Sequence, residues 1–259
     1  MRQVFSVAVN TFRESARSRV LLGIGLLALL MIVSSVVLGA LSFGEESKLV
    51  ADWGLFCISV FGVATTVAVG VQQIYKEVDR KTLYAVLAKP VGRTTFLLGK
   101  HLGTVAVLTV AVLAMAVVHQ GLMLYAGGAL EPRLLLGALA SLLMLTLLAA
   151  FATFFSTISS PFLSGLFTLG LFLAGRSLHH LKYFIFKLET VYEIPSAAAP
   201  IKVLYYLLPN FAVYDIDGEV VHGVELPAGY LGFLALYAAA YSAVLLAGAA
   251  LAFSRRDLS

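Results

Sequence analysis

Residues 20–41 read VLLGIGLLALLMIVSSVVLGAL, an unbroken apolar run that is long enough to cross a lipid bilayer. A spanning helix needs about 20 predominantly apolar residues, because the hydrocarbon core is about 30 Å thick. The run is too long for the core of a signal peptide, and no small-residue cleavage site follows Gly44. We therefore expect it to remain in the protein as a first membrane span.

Similar runs recur along the chain and predict six spans, at about 20–41, 53–74, 96–125, 134–157, 162–181 and 229–253. The fifth run reaches the required length only if residues 176–181 continue its helix. Continuous runs favour helices, since barrel strands alternate in segments of about 10 residues. The predicted fold is an all-α integral membrane domain that takes up the whole chain, residues 1–259.

Composition excludes a soluble domain as the main structure. Hydrophobic residues make up 60% of the chain and charged residues 12%, whereas soluble domains average about 45–50% and 25%. The net charge of +4 comes from lysines and arginines that we expect to orient the protein in a membrane. The charge therefore does not indicate nucleic-acid binding, and no nucleic-acid partner is expected.

Charge also predicts the topology, because Lys and Arg favour cytoplasmic loops. With the N-terminus inside, 12 of the 18 basic residues and 4 of the 14 acidic residues fall on the cytoplasmic side. We expect a multi-pass protein of the cytoplasmic (inner) membrane with both termini in the cytoplasm. The longest polar connection, residues 176–227, is then an external segment.

The first 18 residues predict an amphipathic helix rather than a span. Apolar residues recur at steps of three and four, including Phe5, Val9 and Phe12, while Arg13 and Arg17 lie on the other side. This pattern favours a helix lying flat in the cytoplasmic interface, where basic residues meet anionic headgroups. The alternative is a helix packed against the same protein, and the two descriptions overlap.

The main cytoplasmic loop, residues 76–93, carries a second predicted short helix over about residues 80–88. Asp79 or Thr82 can cap its start, and Pro90 ends it, because proline disfavours helical geometry in the preceding residue. Its apolar side is formed by Leu83, Tyr84, Val86 and Leu87. We expect this helix to lie across the cytoplasmic ends of spans two and three.

Groups that could perform chemistry are scarce. No Asp or Glu falls within the six runs, which disfavours an ion-driven carrier, since such proteins need ionisable groups in their spans. The phosphate-binding pattern G-x-x-x-x-G-K-[ST] is absent. We therefore expect no enzymatic activity and no cofactor in this chain.

Single polar residues within the runs have structural interpretations. Lys100 is expected to snorkel towards the headgroups, His119 to be a neutral hydrogen-bonded residue of the bundle, and Cys57 to be packed or to face lipid. His179 and His180 point about 100° apart on a helix, so they cannot share one metal ion unaided. No metal site is predicted.

The loop carries a family resemblance. EVDRKTLYAVLAKPVGR at residues 77–93, followed by FLLGK at residues 96–100, resembles the signature of type-2 ABC transporter permeases. FRESAR at residues 12–17 and RRD at residues 255–257 are similar to other features of the group. Within it, the chain is most similar to small permeases linked to multi-copper-enzyme maturation and gliding motility.

The resemblance implies a partner assembly. Two such membrane domains, here a homodimer, would form twelve spans above two separate ATPase subunits. Residues 1–18 would be the connecting helix, and the external segment would shape the exit and leave room for an extracytoplasmic partner. The coupling helix would insert into a groove of the ATPase, and its contact residues would be Lys81, Thr82, Leu83, Tyr84, Val86, Leu87, Lys89 and Arg93.

The implied function is a non-catalytic permease subunit that couples ATP hydrolysis to export of a substrate. The alternative is a mechanotransmitting or scaffold subunit, in which ATP-driven motion extracts or assembles something outside the membrane. The shortage of polar residues in the spans supports that alternative, since a hydrophilic solute needs a polar lining.

Overall fold

A computed structural model describes residues 2–42, 44–79, 92–126, 130–192 and 194–254. No strand occurs within these ranges. A 3₁₀ turn at Ala212–Tyr214 interrupts an otherwise α-helical chain. The helices are α1 (Arg2–Ala16), α2 (Arg19–Ala40), α3 (Glu46–Asp79), α4 (Arg93–Tyr125), α5 (Pro132–Ile158), α6 (Pro161–Arg176), α7 (Leu178–Thr190), α8 (Pro195–Leu207), α9 (Asp217–Val221) and α10 (Tyr230–Ser254).

Five of the described helices are long and apolar enough to cross a membrane: α2, α3 over Glu46–Gln72, α4, α5 and α10. A sixth span exists only if α6 and α7 are taken together, and these two are bent by 51° where they meet. An all-helical protein with five or six span candidates confirms the predicted fold class at that level. The fifth predicted span, 162–181, differs, because residues 176–181 do not continue α6 as one straight helix.

The core of the bundle lies around α3 and α5, whose span windows are each 67% buried. Small residues let these two helices approach closely. The Leu145 side chain occupies the space in front of Gly62, and a Cβ on Gly70 would lie 2.8 Å from the Cβ of Ala152. Close backbone approach of this kind is a common way for helices to pack in lipid.

His119 and Cys57 are both packed inside the bundle, each 1% exposed. The imidazole Nε2 of His119 lies 3.2 Å from the carbonyl oxygen of Val50 and donates to it. Gly54 provides the room, because a Cβ there would overlap the imidazole ring. The structure confirms a hydrogen-bonded, packed His119, whereas His179 and His180 are exposed on α7.

The chain after α8 returns to the bundle and packs against it, and the predicted external position of residues 176–227 stays a prediction. We call residues 210–221 the tucked segment. Its Phe211, Tyr214 and Ile216 are 0–2% exposed and belong to the main hydrophobic core. The Phe211 ring contacts Phe151 of α5 and Phe172 of α6, with centroid distances of 6.2 and 5.7 Å.

Hydrogen bonds fasten the tucked segment to the first turns of α10. The Tyr214 hydroxyl donates to the Leu234 carbonyl at 3.1 Å, and the Tyr230 hydroxyl donates to the Val213 carbonyl at 2.7 Å. The backbone N–H of Asn210 donates to the Tyr237 hydroxyl at 3.0 Å. Only α7 and α8, which pack mainly against each other, form a projecting hairpin.

Candidate functional site

One end of the bundle, which we call the α1 end, is formed by α1, the start of α4 and the end of α10. Here α1 crosses α4 at two glycines four residues apart. A Cβ on Gly99 would lie 2.5 Å from the Cβ of Val7. A Cβ on Gly103 would lie 2.6 Å from the Cβ of Thr11 and 2.8 Å from the carbonyl oxygen of Ala8. Gly99 and Gly103 therefore form a socket that only residues without a side chain can provide.

The socket determines which face of α1 is buried. Thr11 is 1% exposed, whereas the predicted interfacial residues Phe5, Val9 and Phe12 line an open apolar groove of about 840 Å³ beside α4. Arg13 and Arg17 are exposed. The helix thus packs on its own protein through one face, as the alternative interpretation held, and leaves the predicted apolar side available to a membrane interface.

Lys100 is a buried residue of α4 that contacts α1. The residue is 1% exposed, and its Nζ lies 4.0 Å from an Oε of Glu14 in the last turn of α1. The same Nζ lies 5.5 Å from the centre of the Phe96 ring. The prediction that Lys100 snorkels to the headgroups is therefore wrong, because a carboxylate and an aromatic face meet the ammonium group within the protein.

Arg93, the first residue of α4, binds the last residues of α10. Its guanidinium donates to the carbonyl oxygens of Phe253 and Ser254 at 2.7 and 2.9 Å, and it lies 5.7 Å from the centre of the Phe253 ring. Basic groups suit this position, since the last carbonyls of a helix lack partners and carry partial negative charge. The Phe96 and Phe253 rings stack beneath it at 6.3 Å.

The predicted coupling residues divide between two parts of the chain. Arg93 is described, and its guanidinium is engaged with α10. The other seven, Lys81, Thr82, Leu83, Tyr84, Val86, Leu87 and Lys89, lie outside the described residues. The described flanks are α3, which continues beyond its candidate span to Asp79, and α4, which begins at Arg93.

A second group of charges lies level with the middle of α5, where the sequence predicted no carboxylate. Arg176 pairs with Asp215 at 3.0 Å, and its other terminal nitrogen donates to the sulfur of Met144 at 4.0 Å. Met144 is one residue from the midpoint of the 27-residue helix α5. The Arg176 end of the pair is therefore level with the middle of α5.

Sequence patterns could not have found this pair. Asp215 lies outside every apolar run, and it meets Arg176 only because the tucked segment packs against the bundle. Arg176 follows an apolar helix of 16 residues, which spans about 24 Å and falls short of a hydrocarbon core of about 30 Å. That shortfall is the one signal in the sequence that α6 could end before it has crossed the hydrocarbon core.

Asp217, at the start of α9, adds a carboxylate next to this pair. Its Oδ1 lies 3.4 Å from where a Cβ on Gly137 would be. The pKa of Asp217 is raised from 3.8 to about 6, chiefly by burial and next by the nearby Asp215 carboxylate, and the Arg176 guanidinium offsets part of the rise. Smaller contributions in the same upward direction come from Asp52 and Glu219.

This environment predicts a pH-dependent stability. Because the folded state holds the Asp217 proton more tightly than the unfolded state, stability falls as pH rises from about 4 to about 6 and stays reduced above that. Asp217→Asn should therefore raise the apparent Tm by a few degrees at pH 7.5 and leave it unchanged near pH 4. Thermal unfolding in detergent across this range measures the difference.

The control for this prediction is Glu225→Gln, which removes an exposed carboxylate from the same connection. A constant Tm difference between Asp217→Asn and the parent protein across pH 4–8 would contradict the assignment of the titrating group.

A family model described as "ABC-2 family transporter protein" covers residues 5–258. No curated protein matches the chain.

Proposed function

Because this chain belongs to the ABC-2 family of transporter proteins, we propose that it is a membrane subunit that two separate ATPase subunits drive to export a substrate across the cytoplasmic membrane. The family and the apolar helices establish a multi-pass permease-type protein, and this family typically supplies a non-catalytic subunit. Partnership with ABC ATPases follows from the family. The coupling route, the direction of transport and a homodimeric membrane part are the proposal.

One observation supports the coupling route: the described helices on either side of residues 80–92 are part of the packed bundle. On one side α3 runs without interruption from Glu46 to Asp79. On the other, α4 begins at Arg93, which holds the end of α10 through two carbonyl oxygens. A force applied to the loop therefore acts on α3, α4 and α10 together.

The α1 end can transmit such a force because direct contacts join its helices. The glycine socket and the Lys100–Glu14 pair join α1 to α4, and Arg93 joins α4 to α10. Movement of a coupling helix at Thr82–Ala88 would shift these three helices as one body, which is a common way for packed interfaces to switch. Mg²⁺ and ATP would be bound by the ATPase subunits, and the α1 end would face the cytoplasm.

The experiment is co-purification of the full chain with the ABC ATPase encoded next to it. Leu83→Asp and Leu87→Asp should each reduce bound ATPase at least tenfold, because a carboxylate replaces an apolar contact in the ATPase groove. Leu130→Asp is the matched control, since Leu130 is 61% exposed next to the start of α5, far from the α1 end. Unchanged ATPase recovery with both loop variants would refute the coupling route.

A mechanotransmitting role is the second candidate, and one observation favours it. The large grooves beside the described spans are lined almost entirely by apolar side chains, and a hydrophilic solute would need a polar lining. Solute flux into reconstituted vesicles, measured against ATP turnover, separates the two roles. ATP turnover without flux supports mechanotransmission, and flux proportional to turnover supports export.

A further inference from the structure

We propose that the groove between α3 and α6 binds an anionic amphiphile, whose apolar chain lies along the groove and whose head group sits on Arg176. This inference rests on the proposed function, because it names the substrate class of that transporter. It depends on three features of the groove: its apolar walls, its charged end and the N–H donors of Arg176.

The groove has the shape and lining that an apolar chain requires. It has a volume of about 580 Å³, with Val60, Val63 and Val67 of α3 on one wall and Leu169 and Leu173 of α6 on the other, and Arg176 closes it. Ser59 also lines it, but its hydroxyl lies 3.4 Å from the hydroxyl of Ser141 in α5. The walls therefore offer a hydrophilic solute few hydrogen bonds.

An apolar wall alone does not select a ligand, because membrane lipid chains are equally apolar. Selection must therefore come from Arg176. Two other grooves, one smaller at about 340 Å³ and one larger at about 840 Å³, lie beside α1, and within the described part of the chain no charged side chain lines either of them. The groove between α3 and α6 differs in combining an apolar body with a cation at one end, which is the complement of an anionic amphiphile.

Arg176 has N–H donors that can bind a second anion. A guanidinium carries five N–H donors arranged to hold a carboxylate or phosphate bidentately. One terminal nitrogen of Arg176 pairs with Asp215, whereas the other contacts, among the residues that the structure describes, the sulfur of Met144 at 4.0 Å, and thioether sulfur is a weak acceptor. The side chains of Arg176 and Asp215 are 31% and 45% exposed, so a ligand can reach the cation and compete with Asp215 for it.

The test measures binding to the purified full chain, without ATPase, in nanodiscs of zwitterionic lipid. The probe is cis-parinaric acid, a fluorescent fatty acid, and its methyl ester is the uncharged comparison. Trp53 is the single tryptophan of the chain, and its ring lies 5.6 Å from that of Phe56, which lines the groove. Energy transfer from Trp53 reports probe near this residue, in the surrounding lipid as well as in this groove, and the part of the signal that an excess of non-fluorescent fatty acid displaces reports binding to the protein.

Each variant has a distinct expected result. Arg176→Gln should weaken binding of the acid at least tenfold and leave the ester unchanged. Asp215→Asn should strengthen binding of the acid several-fold, because it removes the competing carboxylate. Val63→Phe should weaken binding of both probes by filling the groove. Lys182→Gln, an exposed cation on α7 that does not line the groove, should change neither.

Arg176→Gln leaves Asp215 without its partner and could fail to fold, so the double variant Arg176→Gln/Asp215→Asn, which removes both charges, is measured as well. Equal binding of the acid by this variant and the parent protein would overturn the proposal. So would a Val63→Phe variant that loses dimerisation but keeps probe binding, since a second copy of the chain would then occupy the groove. Because no ATPase is present, failure here leaves the coupling experiment unaffected.

Discussion

Gly103→Leu is expected to detach α1 from α4 and to uncouple the protein from its ATPase. A leucine side chain would have to occupy the space filled by Thr11 and by the backbone carbonyl of Ala8, which begins 2.6–2.8 Å from the new Cβ. Overpacking costs about 1–3 kcal/mol or more, and a backbone atom cannot move aside as a side chain can. The apparent Tm should therefore fall by several degrees.

Detachment itself is measured by limited trypsin digestion. Arg13 and Arg17 are exposed but lie in or next to a helix held by the socket, so cleavage after them should become several-fold faster once α1 is free. ATPase stimulation by the membrane subunit should fall in parallel, because α1 would no longer move with α4.

Gly121→Leu is the matched control for this prediction. Gly121 lies on the same helix, and no described atom lies within 4 Å of a Cβ placed there. Equal sensitivity of the two variants to trypsin, or resistance of both, would show that the crossing at Gly103 does not hold α1 in place.

Phe211→Ala is expected to release the tucked segment from the bundle. Phe211 is fully buried and contacts Phe151 and Phe172, which belong to two different helices. Truncating a buried phenylalanine costs about 3–5 kcal/mol, which for a chain of this size lowers the apparent Tm by roughly 10 °C. Thermal unfolding in detergent measures this loss.

The same variant should also weaken the Arg176–Asp215 pair, since Asp215 follows Phe211 by four residues in the segment. Tyr206→Ala is the control, because Tyr206 is an aromatic residue of α8 that is 79% exposed. Similar Tm values for the two variants would mean that the segment is not anchored by Phe211.

Release of the segment has a consequence for the proposed ligand site. Arg176 would lose its carboxylate partner while remaining at the end of the groove, so Phe211→Ala should bind cis-parinaric acid more tightly than the parent protein if the variant remains folded. This effect resembles that of Asp215→Asn and differs from that of Tyr206→Ala.

The class of the protein and the positions of most spans follow from the sequence alone. The run at residues 20–41 and the helix α2, Arg19–Ala40, agree within two residues at each end, and the runs at 134–157 and 229–253 agree equally well with α5 and α10. The physical reason is that each residue of a span must suit lipid by itself. Span positions can therefore be read from local composition, without knowing which helices meet.

Much less of the candidate site could be predicted. Lys100 lies 86 positions from Glu14 and Arg93 lies 160 positions from Phe253, so neither contact leaves a local pattern. The apolar periodicity of α1 pointed to the Phe5 side, yet the glycine socket of α4 receives Val7 and Thr11 instead. Close approach at Gly103 outweighed the apolar pattern, because it excludes any larger residue.

The Arg176–Asp215 pair shows most clearly which features follow from the sequence and which only the tertiary structure decides. Composition determined that apolar helices would cross the membrane and that no carboxylate lies within the apolar runs. Only the folded chain brings Asp215 beside Arg176, because α6 ends level with the middle of α5 and Phe211 packs the following segment against the bundle. The suitability of a residue for lipid depends on that residue alone, whereas the pairing of Arg176 with Asp215 depends on where distant parts of the chain meet.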